Sequence, residues 1–153
     1  MNERRQIIDG VLKATCVPLL RERGFRGSYP HFRRFHGEHV DLLMFQFRRD
    51  GSSFIVEISY ADPERHNVGF RPEAPASKID VACTRERYRL GAKGRTEVDG
   101  EWLCLPHGIL SSDDRHFRRL ALKVNDMLLN EAEPWWESKR TTPNSSLERT
   151  RAR

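Results

Sequence analysis

Three arginines at two-residue spacing, Arg85, Arg87 and Arg89, sit in the run Cys83-Thr84-Arg85-Glu86-Arg87-Tyr88-Arg89-Leu90-Gly91. On an extended strand alternate side chains share a face, so the three guanidiniums would point the same way. Planar forks arranged like this can hold a carboxylate or phosphate through paired hydrogen bonds. Gln46, an amide inside the most apolar run of the chain, is the matching candidate for orienting a small anionic ligand, because a buried amide must find partners. Each has a plainer reading, and it is the favoured one. The arginines would line a wet sheet face or edge, where positive charge discourages aggregation, and Gln46 would serve a structural hydrogen-bond network.

His31, His36 and His39 cluster about a predicted turn, where imidazoles can converge on a metal. Arg33, Arg34 and Glu38 lie between them, and no fourth ligand can be named, so a solvated hairpin tip is favoured. Cys104 and His107 could form a thiolate–imidazole pair, but nothing identifies a third group to orient the base, and a free cysteine more often packs as a small hydrophobe. Trp102, Trp135 and Trp136 are candidates for a partner contact. The phosphate-loop, dinucleotide, zinc-protease and nucleophile-elbow motifs are missing from the chain. No catalytic residue, metal ligand or cofactor is therefore assigned.

The elements that must position these residues follow from periodicity. Ile8, Leu12, Cys16 and Leu19 fall on one stripe of a helix over about Asn2 to Arg23. Pro18 predicts a kink or restart within it, and Gly24 stands where a left-handed cap belongs. His31–Phe35 reads as a strand. Val40–Arg48 has apolar residues on both faces and predicts a central strand covered on both sides. Asp50-Gly51 signals a hairpin into Phe54–Tyr60. Pro63, Gly69, Pro72 and Pro75 mark a long loop over Ala61–Ala76, a length usually reserved for functional loops or disorder. Short strands are predicted at Arg85–Leu90 and Trp102–Leu105. A closing helix starts at Ser111 or Ser112, with Asp113 and Asp114 in its first turn, and ends before Pro134. The fold class is α+β: an N-terminal helix, an antiparallel meander sheet of four or five strands, and a closing C-terminal helix.

At 153 residues with 37% hydrophobic and 32% charged side chains, the chain is too apolar for disorder and too polar for a membrane protein. The net charge of +5 is localised. Residues 139–153 carry five basic side chains and one acidic, which leaves 22 basic against 21 acidic over residues 1–138. A nearly neutral body lacks the basic stripe that nucleic acid requires, so only weak contacts by the tail are expected. Domain organisation is read as one unit over residues 1–138 and a basic disordered tail over 139–153. Three widely spaced cysteines cannot form a paired disulfide framework. The apolar residues of the N-terminus are interrupted by Asp9 and Lys13, unlike a signal peptide. The expected setting is cytoplasmic.

The order of elements is familiar. Leu19-Leu20-Arg21-Glu22-Arg23-Gly24-Phe25, Leu43-Met44-Phe45-Gln46-Phe47, Phe54-Ile55-Val56-Glu57-Ile58 and Cys83 through Gly91 resemble the helix-to-strand entry, central hairpin and later strand of the domain-of-unknown-function family DUF4304. The resemblance spans about residues 5–130. It implies a small α+β fold and a bacterial origin, and it implies no reaction. The end of the chain, Thr141-Thr142-Pro143-Asn144-Ser145-Ser146-Leu147-Glu148-Arg149-Thr150-Arg151, resembles the translated recombination sites of integron gene cassettes.

The sequence thus points to a non-enzymatic binding or interaction module acting through the sheet or the Ala61–Ala76 loop. The alternative is a small enzyme or ligand sensor with an anion site on the arginine strand. The partner is an unknown protein or small anionic ligand. A homodimer is also expected, through the uncharged strand at Trp102 or through Trp135 and Trp136.

Overall fold

The computed structural model describes residues 3–91, the backbone of 103–104, and 115–141. Helix α1 (Glu3–Glu22) buries Ile8, Leu12, Cys16 and Leu20, one residue per turn at four-residue spacing. It runs through Pro18 as one helix, against the kink or restart predicted there. Pro18 and Ala14, whose carbonyl loses its donor, both lie on the exposed side, where that carbonyl is open to solvent and the missing bond costs least. The helix stops at Gly24, which holds φ at 93°. The Phe25 amide donates to Leu20 O and the Gly24 amide to Arg21 O, at 2.8 and 3.0 Å. This is the Schellman pattern, closed by the buried side chains of Phe25 and Leu20.

The chain then builds an antiparallel sheet from β1 (Arg26–Ser28), β2 (His31–His36), β3 (His39–Phe47), β4 (Ser53–Ala61) and β5 (Arg87–Arg89), paired in that order. A further strand, β6 (Leu103–Cys104), pairs with β4 at Ser53 and Phe54. The predicted hairpin forms at Asp50-Gly51. Gly51 has φ 75°, and Asp50 Oδ1 accepts from the Ser52 amide and hydroxyl. Val40 is paired with Ala61, Leu43 with Ile58 and Phe47 with Phe54, so the hairpin register sets both faces at once.

One face carries Phe32, Leu43, Phe45, Phe54, Val56 and Ile58 against the helices. The other carries Val40, Leu42 and Ala61, packed against Val68, Ile79 and Val81 of the long loop. The central strand is thus covered on both sides, as its sequence predicts, with a loop in place of a second helical layer. Two short 3₁₀ turns, Ala76–Lys78 and Val81–Cys83, stiffen that cover.

The closing helix departs from its prediction. Helix α2 (Arg115–Met127) buries Phe117, Ala121, Val124 and Met127. It then widens into a π-helical turn, Leu128–Ala132, and continues as α3 (Glu133–Thr141). The Glu133 amide bonds Leu128 O, five residues back. Pro134 follows in the first turn of α3, where a missing amide costs least. The helix therefore passes Pro134 where the sequence predicts a stop. It also includes Lys139, Arg140 and Thr141, so the proposed tail boundary at 139 falls inside α3. Residues 142–153, and Ser111 to Asp114 at the predicted cap, lie outside the described residues.

Candidate functional site

Residues 62–86 leave β4, cross the second face of the sheet and return as β5. Buried polar side chains fix that path. Asp62 accepts the amides of His66 and Asn67, each at 2.9 Å, and closes a turn in which Arg65 has φ 65°. Asn67 Nδ2 donates to Tyr60 O and Glu86 O, and its Oδ1 accepts the Glu86 amide at 2.8 Å. A single buried amide therefore ties the two ends of the loop together. Ser59 Oγ lies 2.5 Å from Thr84 Oγ1 and 2.8 Å from Glu86 O. Arg87 reaches under the loop from β5: Nε donates to Thr84 O, Nη2 to Ala82 O and Nη1 to Glu57 Oε1, at 3.0 to 3.2 Å. From β2, Arg33 Nη2 donates to Ile79 O at 3.1 Å.

The clamped loop holds one large apolar side chain in solvent. Phe70 is 60% exposed. Its amide and that of Gly69 both donate to Cys83 O, at 3.1 and 2.8 Å, so its backbone is not free to turn the ring inward. Arg71 follows with φ 53°, a conformation that non-glycine residues seldom adopt. Its guanidinium carbon lies 5.2 Å from the Phe70 ring centroid. Arg85, also exposed, lies across Gly69, where an added Cβ would come within 3.0 Å of Arg85 Cγ and Nε. An exposed aromatic ring with one guanidinium beside it and a second arginine across the preceding glycine suits an apolar anchor next to carboxylates.

On the helical face a second polar cluster surrounds Asp41 of β3, which is fully buried. Its Oδ2 accepts from Arg34 Nε at 2.9 Å and from Arg140 Nη1 of α3 at 2.5 Å, with His36 Nε2 at 3.1 Å. Glu133 takes the other side of Arg34, at 2.6 Å, and also binds Arg23. Burial alone would raise the Glu133 carboxyl, but hydrogen bonds from Arg34 and Arg23 outweigh it and hold it below the usual range. Burial likewise opposes the charge on Arg34, and the bonds to Glu133 and Asp41 override it, so its pKa is raised. The bonds from Arg140 to Asp41 and from Arg34 and Arg23 to Glu133 pin α3 to the sheet.

A family model described as a domain of unknown function (DUF4304) matches residues 16–149, most of the chain and every described strand. The chain belongs to the DUF4304 family. No curated protein and no solved structure matches it.

In this DUF4304 chain the sequence-derived candidates separate. Arg87 and Arg89 both bind the buried Glu57, at 3.2 and 3.3 Å. A carboxylate of the protein itself thus stands where an anionic ligand was expected. Arg85 lies outside β5, and its side chain lies across Gly69, next in sequence to Phe70. Gln46 is exposed, which corrects its reading as a buried amide: as an even-numbered residue of β3 it faces away from the helices, beyond the reach of the loop's apolar cover. Trp136 is 1% exposed, with its ring 5.0 Å from Phe25 and its Nε1 donating to Ser59 O. It is therefore not surface for a partner, because the π-helical turn re-aims α3 onto the sheet. Trp135 is half-buried between Tyr60 and Tyr88. Trp102, His107 and the side chain of Cys104 lie outside the described residues.

His36 and His39 meet Asp41 while His31 lies at the other end of β2, so the three do not form a metal set. Among the described residues, Asp62, Glu64 and His66 bring ligand atoms within 4.8 Å of one another, but both Asp62 oxygens already cap the turn. Cys16 is inert, its thiol pushed up to about 12 by burial. Among the described residues no helix is long and apolar enough to cross a membrane. Sequence reasoning found the loop but missed Phe70. Its signal was an aromatic between a glycine and Arg71 in a stretch with no apolar period.

Proposed function

We propose that this chain is an interaction module that binds an acidic, apolar-anchored segment of another protein through Phe70, Arg71 and Arg85. The observation that carries this reading is a phenylalanine 60% exposed on a loop whose backbone is fastened at both ends. Isolated exposed apolar residues are ordinary. Here, though, the loop spends buried hydrogen bonds to hold an arginine at positive φ beside the ring. Such local strain concentrates at ligand clamps and recognition loops. Preorganisation also lowers the ordering cost of association. The Asp41 groups pair with one another, which favours a structural role for them and a binding role for the molecule. The small anionic ligand of the alternative reading is replaced by the carboxylates of a protein segment, met by Arg71 and Arg85. The setting we propose is a bacterial cytoplasm, given the unpaired cysteine count, and a mobile gene cassette, given the end of the chain.

A photoreactive benzoylphenylalanine at position 70 tests the reading. It should yield one discrete adduct in cells that carry the protein, and Arg71→Glu with Arg85→Glu should abolish it. The same probe at Leu122, which is also exposed, should give none. An adduct of twice the chain mass would identify the partner as a second copy. Equal labelling from both positions, or an adduct indifferent to the arginines, would rule out the loop as the contact.

A further inference from the structure

We propose that the Asp41 cluster is an acid-sensitive latch, in which His39 takes over Asp41 from Arg140 and frees the C-terminal turn of α3. Asp41 Oδ1 has no hydrogen-bond partner, and neither does His39 Nε2; both atoms are buried. They face each other at 3.7 Å, just beyond bonding range. The two orphaned atoms need only a small approach to bond, and a proton on His39 would supply the charge that draws them together. His39 is held in place for it by stacking on Tyr60, with ring centroids 5.6 Å apart and planes within 3°.

The charges around the imidazole decide which arrangement wins. Its own strand supplies Asp41. Strand β2 supplies His36 and Arg34, α3 supplies Arg140 and Glu133, and Asp62 lies at the end of β4. Burial depresses the His39 pKa, Arg140 and His36 push it further down, and Asp41 and Asp62 only partly offset them. At neutral pH the imidazole is uncharged, and Arg140 holds Asp41 without competition. A proton on His39 places a second cation against Arg140 and presents Asp41 Oδ1 with a charged donor. Of the cations around Asp41, Arg140 is the one on a terminal helical turn, 22% exposed, so leaving costs it least. Arg34 stays, fixed from its far side by Glu133.

The direction with pH follows from the depressed group. Latch stability is fully present above about pH 6.5, the ordinary imidazole value, and is lost as pH falls through that value toward the closed-state one. Because the closed arrangement disfavours the charged imidazole, opening should grow severalfold between pH 7.5 and pH 5.5.

Hydrogen exchange on the full chain reads this. Uptake by a peptide covering residues 133–141, corrected for the intrinsic pH dependence of exchange, should show the opening constant of α3 rising severalfold at pH 5.5. A peptide from α1 serves as reference and should not change. His39→Gln should cut the rise below twofold, while His36→Gln should leave it in place. No rise in the wild type, a rise shared equally by α1, or a rise that survives His39→Gln overturns the proposal. Should His39→Gln fail to fold by circular dichroism, Arg140→Met decides. That variant should raise α3 exchange at pH 7.5 and remove further response to acid, and a retained acid response in it overturns the proposal equally.

Discussion

A carboxylate with no exposure to water is stable only where cations meet it, and Asp41 has Arg34 and Arg140 at 2.9 and 2.5 Å. Removing that charge leaves Arg140 and the Nε side of Arg34 against a neutral group. Breaking a buried pair in this way costs about 3–5 kcal/mol. Asp41→Asn is therefore expected to lose several kcal/mol in urea unfolding at pH 7. A loss below about 1 kcal/mol, the range of surface ion pairs, would show that the cluster carries little of the fold. Glu133 adds a second acid-sensitive contribution. Its depressed pKa supplies stability above the ordinary value of 4.5 that fades as pH falls through the folded value. Glu133→Gln should accordingly flatten the loss of stability below pH 4.5. None of these pairings was legible in the sequence. Arg34 and Asp41 are cross-strand neighbours, which register shows only after folding, while Arg34–Glu133 and Asp41–Arg140 each span 99 positions. The signs of the charges were visible, but their partners depended on where α3 docks.

Elements with a strong period were readable, and elements set by distant packing were not. The stripe Ile8, Leu12, Cys16 and the alternation Phe54, Val56, Ile58 specify α1 and β4 directly. Gly24 was readable as a cap because only a left-handed residue completes the Schellman bonds. Gly24→Ala should cost about 1–2 kcal/mol for that conformation. The nearest atom to the new Cβ is Arg34 Cδ at an ordinary 3.5 Å, so crowding adds little. A thermal melt that leaves the variant unchanged would show that the cap does not hold φ 93° in solution. The arginine strand misled for the opposite reason. Its two-residue spacing is real for Arg87 and Arg89, but Glu57 and the carbonyls of the loop already use their donors. Arg87→Met should keep the sheet and loosen the cover, because it deletes bonds to Thr84, Ala82 and Glu57 together. Limited proteolysis should then cut within residues 62–83 several times faster than in the wild type, with α1 still resistant. Equal cutting rates would deny that Arg87 clamps the loop.

At the scale of the whole molecule, α3 is what the separation of body and tail got wrong. Restoring Lys139, Arg140 and Thr141 to the body gives 24 basic against 21 acidic residues over 1–141. Lys139 and Arg140 then serve as partners of Glu86 and Asp41 and not as free charge. The body remains close to neutral, and the argument against a nucleic-acid face keeps its force. Truncation on either side of α3 should have opposite effects. Cutting after Thr141 removes no contact described above, so the melting temperature should stay within about 1 °C. Cutting after Ala132 removes Trp136 from Phe25, leaves Arg34 facing Asp41 without Glu133, and strips Asp41 of Arg140. Losing a buried tryptophan alone costs about 3–5 kcal/mol, a large share of the roughly 5–15 kcal/mol that holds a domain together. The shorter chain is expected to be largely unfolded at 37 °C by circular dichroism. If it folds and melts like the longer one, α3 is an appendage and the Asp41 latch has nothing to hold. If the cut after Thr141 also unfolds the protein, the structural unit extends past the end of α3.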